Sequence, residues 1–359
     1  MSLTFRALEI GSGDAFLLED DSQRILFDSG GSKSILKSLL KHKKCGHIHI
    51  AICSHNDVDH TNGFGGLLDS PNIKIDEIWL PMVWASLLQF IQERRREIYP
   101  REIDDWRPMN DNQQVELMSL FQKDSVSVDD FDDNLSHFSR YESSYLSHKL
   151  FNYIYHWRGG FSYGYDLALK LENIFKIATA AYQKGSLIRW FEPTSMCQCN
   201  SSQIQNGLLP LNSRETCQIR KLKDVVSFFQ ALCLTDENRY SLVFEYLREG
   251  IPVVRFSADS DCVCQSQSPY EKNIIVTAPH HGSNANAQVY TSLQGNDIIW
   301  VRSDRKSRKR PCQNFKNMAN RYCLVCKLPG KPKSEICFDY DDIRKQWRRQ
   351  YGCQCNGVC

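Results

Sequence analysis

The sequence predicts an α/β fold, an αββα sandwich split by a large insertion and followed by a Cys-rich tail. Three observations predict it. The chain opens with short apolar stretches in the order strand, strand, helix, strand; strands of the same kind return after residue 230; and residues 86–230 carry mainly helical periodicity. Two sheets facing each other, with helices on both outer faces, satisfy that order. At 359 residues, with 42% hydrophobic and 24% charged, the composition is that of a globular protein with a sizeable core. A formal net charge of +2 neither selects nor excludes a nucleic-acid partner, so that case rests on local clusters.

Taken in order, residues 3–9 and 14–19 run apolar around Gly11 and Gly13 as a hairpin would, and Arg24 to Asp28 makes a third strand. Ile35, Leu36, Leu39 and Leu40 are spaced for an amphipathic helix over 34–44. Ile48 to Cys53 reads as a buried strand, and Ile75 to Leu80 as another. Helices are predicted over 84–98, 113–123, 145–157, 165–183 and 222–233, with a strand over 185–191. Strands over 240–246, 251–256, 274–277 and 298–301 complete the second half. The expected units are therefore 1–85, first half of the core; 86–230, a mainly helical insertion able to cap a site; 231–301, second half; and 302–359, a basic, Cys-rich tail. The acidic run Asp129, Asp130, Asp132 and Asp133 reads as a solvated loop, and His137, His148 and His156 as structural or surface residues.

The most informative stretch follows the strand at Ile48. Ser54-His55-Asn56-Asp57-Val58-Asp59-His60 places imidazoles and carboxylates within six residues of one another, just past a strand end and before Gly63, Gly65 and Gly66. A divalent ion needs such ligands converging from a short loop on a rigid scaffold. A solvated polar loop is the bland alternative. Further elements weigh against it: Gly11 to Leu18, Ile25-Leu26-Phe27-Asp28-Ser29-Gly30-Gly31, Val254 to Asp261, and Thr277-Ala278-Pro279-His280-His281-Gly282-Ser283.

Together these resemble the metallo-β-lactamase superfamily, in its H-x-D-x-D-H form with a PHHGS element, and most closely the metallo-β-lactamase domain of DNA-uptake competence proteins. The resemblance covers residues 1–85 and 230–300. Ala258 stands where that family usually has glycine. The resemblance implies two divalent metal ions, Zn or Mn, ~3.5–4 Å apart and sharing a hydroxide nucleophile. It implies His55 and Asp57 at a first metal, Asp59 and His60 at a second, and Asp259 between them. One of His280 and His281 completes the second metal, and the other contacts substrate; the sequence leaves open which. Asp59, His280 and His281 are the residues expected to take part in catalysis, and Asp14 to orient a ligand from behind. The family's third histidine is missing: Glu237 and Asn238 are the oxygen ligands that stand nearest its place. Asp57, harder than histidine, tilts the first metal towards Mn²⁺.

In the tail, Arg302, Arg305, Lys306 and Arg308 are expected to meet substrate phosphates, and Trp347 among Arg344, Arg348 and Arg349 suits base stacking as well as packing. Cys312, Cys323, Cys326, Cys337, Cys353 and Cys355 are candidates for an additional structural zinc, with Cys323-x-x-Cys326 its clearest element. Cys197-x-Cys199 and Cys262-x-Cys264 are weaker pairs. The resulting expectation is a metal-dependent hydrolase, a phosphodiesterase or nuclease acting on DNA or RNA. The alternatives are hydrolysis of a thioester, lactone or cyclic nucleotide, and a catalytically weak effector whose insertion or tail binds a protein partner. With no secretory leader and no long apolar run, a cytoplasmic, non-membrane protein is expected.

Overall fold

The computed structural model describes residues 2–93, 116–135, 161–194, 204–235, 237–261, 273–293, 297–305, 307, 309–326, 335–352 and 355. His137, His148, His156, Cys197, Cys199, Cys262, Cys264, Lys306, Arg308, Cys353 and the helix expected over 145–157 lie outside them. No helix among the described residues is long and apolar enough to cross a membrane.

The first half runs β1 (Leu3–Ala7), β2 (Phe16–Glu19), β3 (Arg24–Phe27), α1 (Ile35–His42), β4 (His47–Ile52), α2 (Val58–Leu68), β5 (Lys74–Pro81) and α3 (Met82–Glu93). The middle holds β6 (Phe121–Ser127), α4 (Val128–Leu135), α5 (Phe161–Gln183), β7 (Leu187–Pro193), β8 (Leu208–Pro210), β9 (Ser213–Thr216), β10 (Gln218–Leu222) and α6 (Val225–Leu234). The remainder is β11 (Phe244–Arg248), β12 (Ile251–Phe256), β13 (Ile275–Thr277), α7 (Val289–Ser292), β14 (Ile299–Arg302), α8 (Gln313–Lys316), β15 (Arg321–Cys323), β16 (Ile336–Asp341) and β17 (Gln346–Tyr351).

Two sheets face each other. One has the order β17-β16-β1-β2-β3-β4-β5-β7-β9 and the other β15-β14-β13-β12-β11-β8. Their inner faces share a core of Phe5, Phe16, Phe27, Ile52, Trp79, Phe244 and Phe256, in which the Phe27 and Phe256 rings stack at 4.8 Å. Helices α1, α2, α3, α5 and α6 bury Leu36, Phe64, Trp84, Leu171 and Phe229 against the outer face of the larger sheet. On the other side, Val289, Tyr290 and Phe315 of α7 and α8 cover Val276 and Trp300 of the smaller sheet. The αββα sandwich follows from these layers.

The strand alternation sets where a site can form. β3, β4 and β5 are mutually parallel, as are β12, β13 and β14. Parallel strands bring the loops after their carboxyl ends to one edge, the usual place for a site in α/β proteins.

Several expectations change, among them the acidic run at 129–133, read as a loop, which lies on helix α4. The segment 113–123, read as a helix, is a 3₁₀ turn at Leu117–Leu120 followed by β6, which pairs with β10; apolar Leu117, Leu120 and Phe121 fit either period over so short a run. In the middle region the strand expected over 185–191 is present as β7, while β9, extending the larger sheet, and β8, extending the smaller, were not expected. Described residues after 302 join both sheets. β15 closes one edge of the smaller sheet, and β16 pairs antiparallel with β1 through Phe5↔Phe338.

Candidate metal centre

Strand β4 ends at Ile52, and the chain turns through Ser54, His55 and Asn56 before α2 begins. Asp57 caps that helix, its carboxylate accepting from Val58 N at 2.9 Å. Asp59 and His60 therefore ride on the first helical turn while His55 and Asp57 precede it. Glycine permits the close contacts around this turn: a Cβ on Gly13 would lie 1.7 Å from Asp59 O, and one on Gly63 2.1 Å from Ser29 O. Helix α5 buttresses the loop, with Asn173 donating to Asn56 Oδ1 at 2.9 Å and Thr61 Oγ1 at 2.8 Å.

The second sheet supplies the facing residues. Asp259 follows β12, and His280 and His281 follow β13. Ala258, His280 and His281 all take left-handed backbone, with φ of 45°, 46° and 52°. Such conformations cost energy in non-glycine residues and persist where the surroundings impose them. The left-handed φ of Ala258 accounts for the glycine usual at that place. Here His280 N donates to Ala258 O at 2.9 Å, and Arg302 Nε donates to His281 O at 2.6 Å.

Asp259 is the centre of the cluster. Its Oδ1 is 3.1 Å from His60 Nε2 and 3.9 Å from His281 Nε2, and that His281 nitrogen is 3.2 Å from Asp59 Oδ2. Its Oδ2 is 4.0 Å from His55 Nε2 and 3.6 Å from His280 Nε2. The ligand atoms of His55, Asp57 and Asp259 form one group compatible with an ion, and those of Asp14, His60, Asp259 and His281 a second. Side chains of His55, His60, His281 and Asp259 are essentially buried, whereas Asp59 and His280 keep 25% and 28% exposure, so the cluster opens to solvent beside those two.

Behind the cluster, carboxylates fix the rings. Asp28 accepts from Ser54 N and Ser54 Oγ, each at 2.8 Å, and lies 2.7 Å from His60 Nδ1. Ser54 Oγ is also 2.9 Å from His55 Nδ1. With the Ser54 hydroxyl committed to Asp28, His55 Nδ1–H donates to Ser54, so Asp28 orients both imidazoles with Nε2 forward. Asp14 Oδ1 does the same for His281 through Nδ1 at 3.0 Å. Asn238 Nδ2 donates to His280 Nδ1 at 2.8 Å, which leaves the His280 proton on Nε2.

The electrostatics match a cation site. Burial pushes the His55 ring down to about 3, keeping it neutral. Burial also pulls on His281, but Asp14 and Asp259 outweigh it and raise that ring to about 10; His60 is raised in the same way by Asp259 and Asp28. Burial opposes ionisation of Asp59 and Asp259, yet the neighbouring histidines hold both below the usual carboxylate range. Protons on His60 and His281 thus balance a concentration of carboxylate charge that a metal would balance in their stead. His55 Nε2, His60 Nε2, His281 Nε2, Asp259 Oδ1 and Asp14 Oδ2 are buried without a hydrogen-bond partner; His60 Nε2 and Asp259 Oδ1 are close but not aligned. Leaving each such atom unmet costs ~1–3 kcal/mol, and their convergence fits a divalent ion.

Residues 8–125 match the metallo-beta-lactamase superfamily family model. The match takes in Asp14, Asp28 and the His55–His60 loop, and ends before Asp259, His280 and His281. No curated protein matches the chain.

Other residues singled out from the sequence lie elsewhere. Glu237 pairs with Arg239 at 2.8 Å, leaving Asn238 as the residue of that pair that reaches the candidate metal site, where it binds His280. Arg302, expected to meet phosphates, is 1% exposed and spends its guanidinium on His281 O, Cys323 Sγ and Asp304. Arg305 is exposed. Trp347 is buried between the sheets, donating to Val253 O at 2.9 Å, and is not available for base stacking. Arg348 pairs with Asp341, and Arg349 lies over Tyr322. Asp28, Ser54, Asn173 and Arg302 gained their supporting roles only here; for Asp28, the buried Ile25-Leu26-Phe27 strand ending in a carboxylate was the available signal.

Proposed function

We propose that the protein is a metal-dependent hydrolase that cleaves phosphodiesters, with DNA or RNA as the substrate class. The observation that carries the reading is the convergence of His55, His60 and His281 Nε2 on the two oxygens of Asp259, with no hydrogen-bond partners for those ring nitrogens. His55, Asp57 and Asp259 would hold one ion, and Asp59, His60, Asp259 and His281 another. Ions so held lower the pKa of water and stabilise negative charge on a phosphoryl oxygen.

The chain's own residues do the rest. Asp28 and Asp14 hold the three imidazoles in the tautomer that presents Nε2 forward. His280, partly exposed and with its ring fixed by Asn238, is placed to hydrogen-bond a leaving oxygen through Nε2. Carboxylate donors, Asp57 among them, favour hard ions such as Mn²⁺ or Mg²⁺, which suit phosphoryl oxygens better than thioester carbonyls. The resemblance of the PHHGS element to competence-protein domains supports the same substrate class.

The test is hydrolysis of single- and double-stranded DNA and RNA, and of a thioester and a lactone, by protein loaded with Mn²⁺, Mg²⁺ or Zn²⁺. Phosphodiester cleavage that disappears in His60→Ala is expected. Cleavage of the thioester or lactone alone, or undiminished cleavage in His60→Ala, would overturn the assignment.

A further inference from the structure

The tail brings Cys355 to the Cys323-x-x-Cys326 pair, which lies well before it in sequence. Cys323 ends β15, and Cys326 follows after a turn in which Cys326 N donates to Cys323 O at 3.3 Å. Cys355 is docked beside the same strand, its N donating to Arg321 O at 3.0 Å. Backbone hydrogen bonds thus help to place the thiols. Ligand atoms of all three lie within 4.8 Å of one another, and Cys326 Sγ and Cys355 Sγ stand 3.5 Å apart. Tetrahedral zinc with Zn–S of about 2.3 Å separates its sulfurs by about 3.8 Å, whereas a disulfide needs about 2.05 Å. Cys323 and Cys355 are 1% and 3% exposed, as a closed structural site requires.

Charge points the same way. Three thiolates around Zn²⁺ carry a net negative charge, and Arg302 Nη1 lies 3.1 Å from Cys323 Sγ. The same guanidinium donates through Nε to His281 O. Cys312 packs instead with Tyr290 and Phe315, and Cys337 sits on β16, so neither joins the group among the described residues.

We propose that Cys323, Cys326 and Cys355 bind a structural zinc ion that, through Arg302, fixes the strained His280–His281 turn. The described residues supply three protein ligands, and a further residue is needed in the fourth position to close the site. It serves the second half of the metal centre as Asp28 serves the first, by holding backbone and rings in place from behind.

The test uses the full chain, purified under reducing conditions and loaded with Co²⁺ alone. Wild-type protein is expected to show sulfur-to-cobalt charge-transfer absorption, which Asp259→Ala retains and Cys355→Ser loses, with cobalt affinity falling by more than the roughly 10–100-fold that loss of an outer partner costs. In zinc-loaded Asp259→Ala protein, in which the other centre is disabled, chelation should speed alkylation of Cys326 and Cys355 and raise hydrogen exchange at residues 280–282. Absence of charge transfer in wild-type protein, a Cys326–Cys355 disulfide found by mass spectrometry, or the same band in Cys355→Ser would overturn the site. Unchanged exchange at 280–282 after chelation would overturn the link to the turn.

Discussion

The two halves of the candidate metal centre are built by opposite means. The His55–His60 segment is local: a strand end, a capped helix start and glycine contacts present its ligands within one turn of chain. The Asp259 and His280–His281 segments are remote from it and strained, with Ala258, His280 and His281 in left-handed backbone held by Arg302 and neighbouring strands. The contrast teaches that a site can take its ligand density from a compact motif while its closure depends on conformations that only surrounding packing maintains.

The sharpest way to break the comparison is Asp259→Ala, because Asp259 is the residue that faces both groups. Metal analysis should show affinity lost by more than about 100-fold at both positions, beyond the effect of losing any single outer partner. Next, Gly13→Ala tests how far the local half depends on close approach. A Cβ 1.7 Å from Asp59 O should cost about 3 kcal/mol or more in urea unfolding, whereas Gly250→Ala, with φ of 80° and nothing within 4 Å, should cost only about 1 kcal/mol. Equal losses would show that backbone strain, not crowding, governs both.

Asp28→Asn should weaken metal binding by about 10–100-fold, measured by competition with a chelating dye, since it disturbs His60 directly and His55 through Ser54. An effect confined to one metal would break the relay between the two rings. The smallest expected effect is a gain: Ala258→Gly should raise stability by about 0.5–1 kcal/mol by removing the left-handed penalty, net of glycine's greater chain entropy. A loss on thermal unfolding would mean that the Ala258 methyl packs to more advantage than its φ costs.

Much of this was legible because its causes are local. Ile48 to Cys53 reads as a buried strand, and the ligand-bearing residues after it stand out by their spacing. Helix α2 was not legible, since Gly63, Gly65 and Gly66 have poor helix propensity and their reason, contact with Ser29 and Lys33 for Gly63 and Gly66, lies elsewhere in the chain. Arg302 and Trp347 looked like a surface for phosphates and bases, because charge and aromaticity in a sequence do not say which way a strand faces.

The amino-acid sequence by itself determined most core strands of the two halves, the candidate ligand types at 55–60, 259 and 280–281, and the Cys323-x-x-Cys326 pair. Tertiary structure alone decided that His281 rather than His280 faces Asp59, that Asp28 serves two histidines, and that Cys355 joins a pair of cysteines about thirty residues earlier. The physical reason is range. Periodicity and hydrogen bonding between near neighbours are written along the chain, whereas the facing of side chains across two sheets depends on register and twist that no single segment contains.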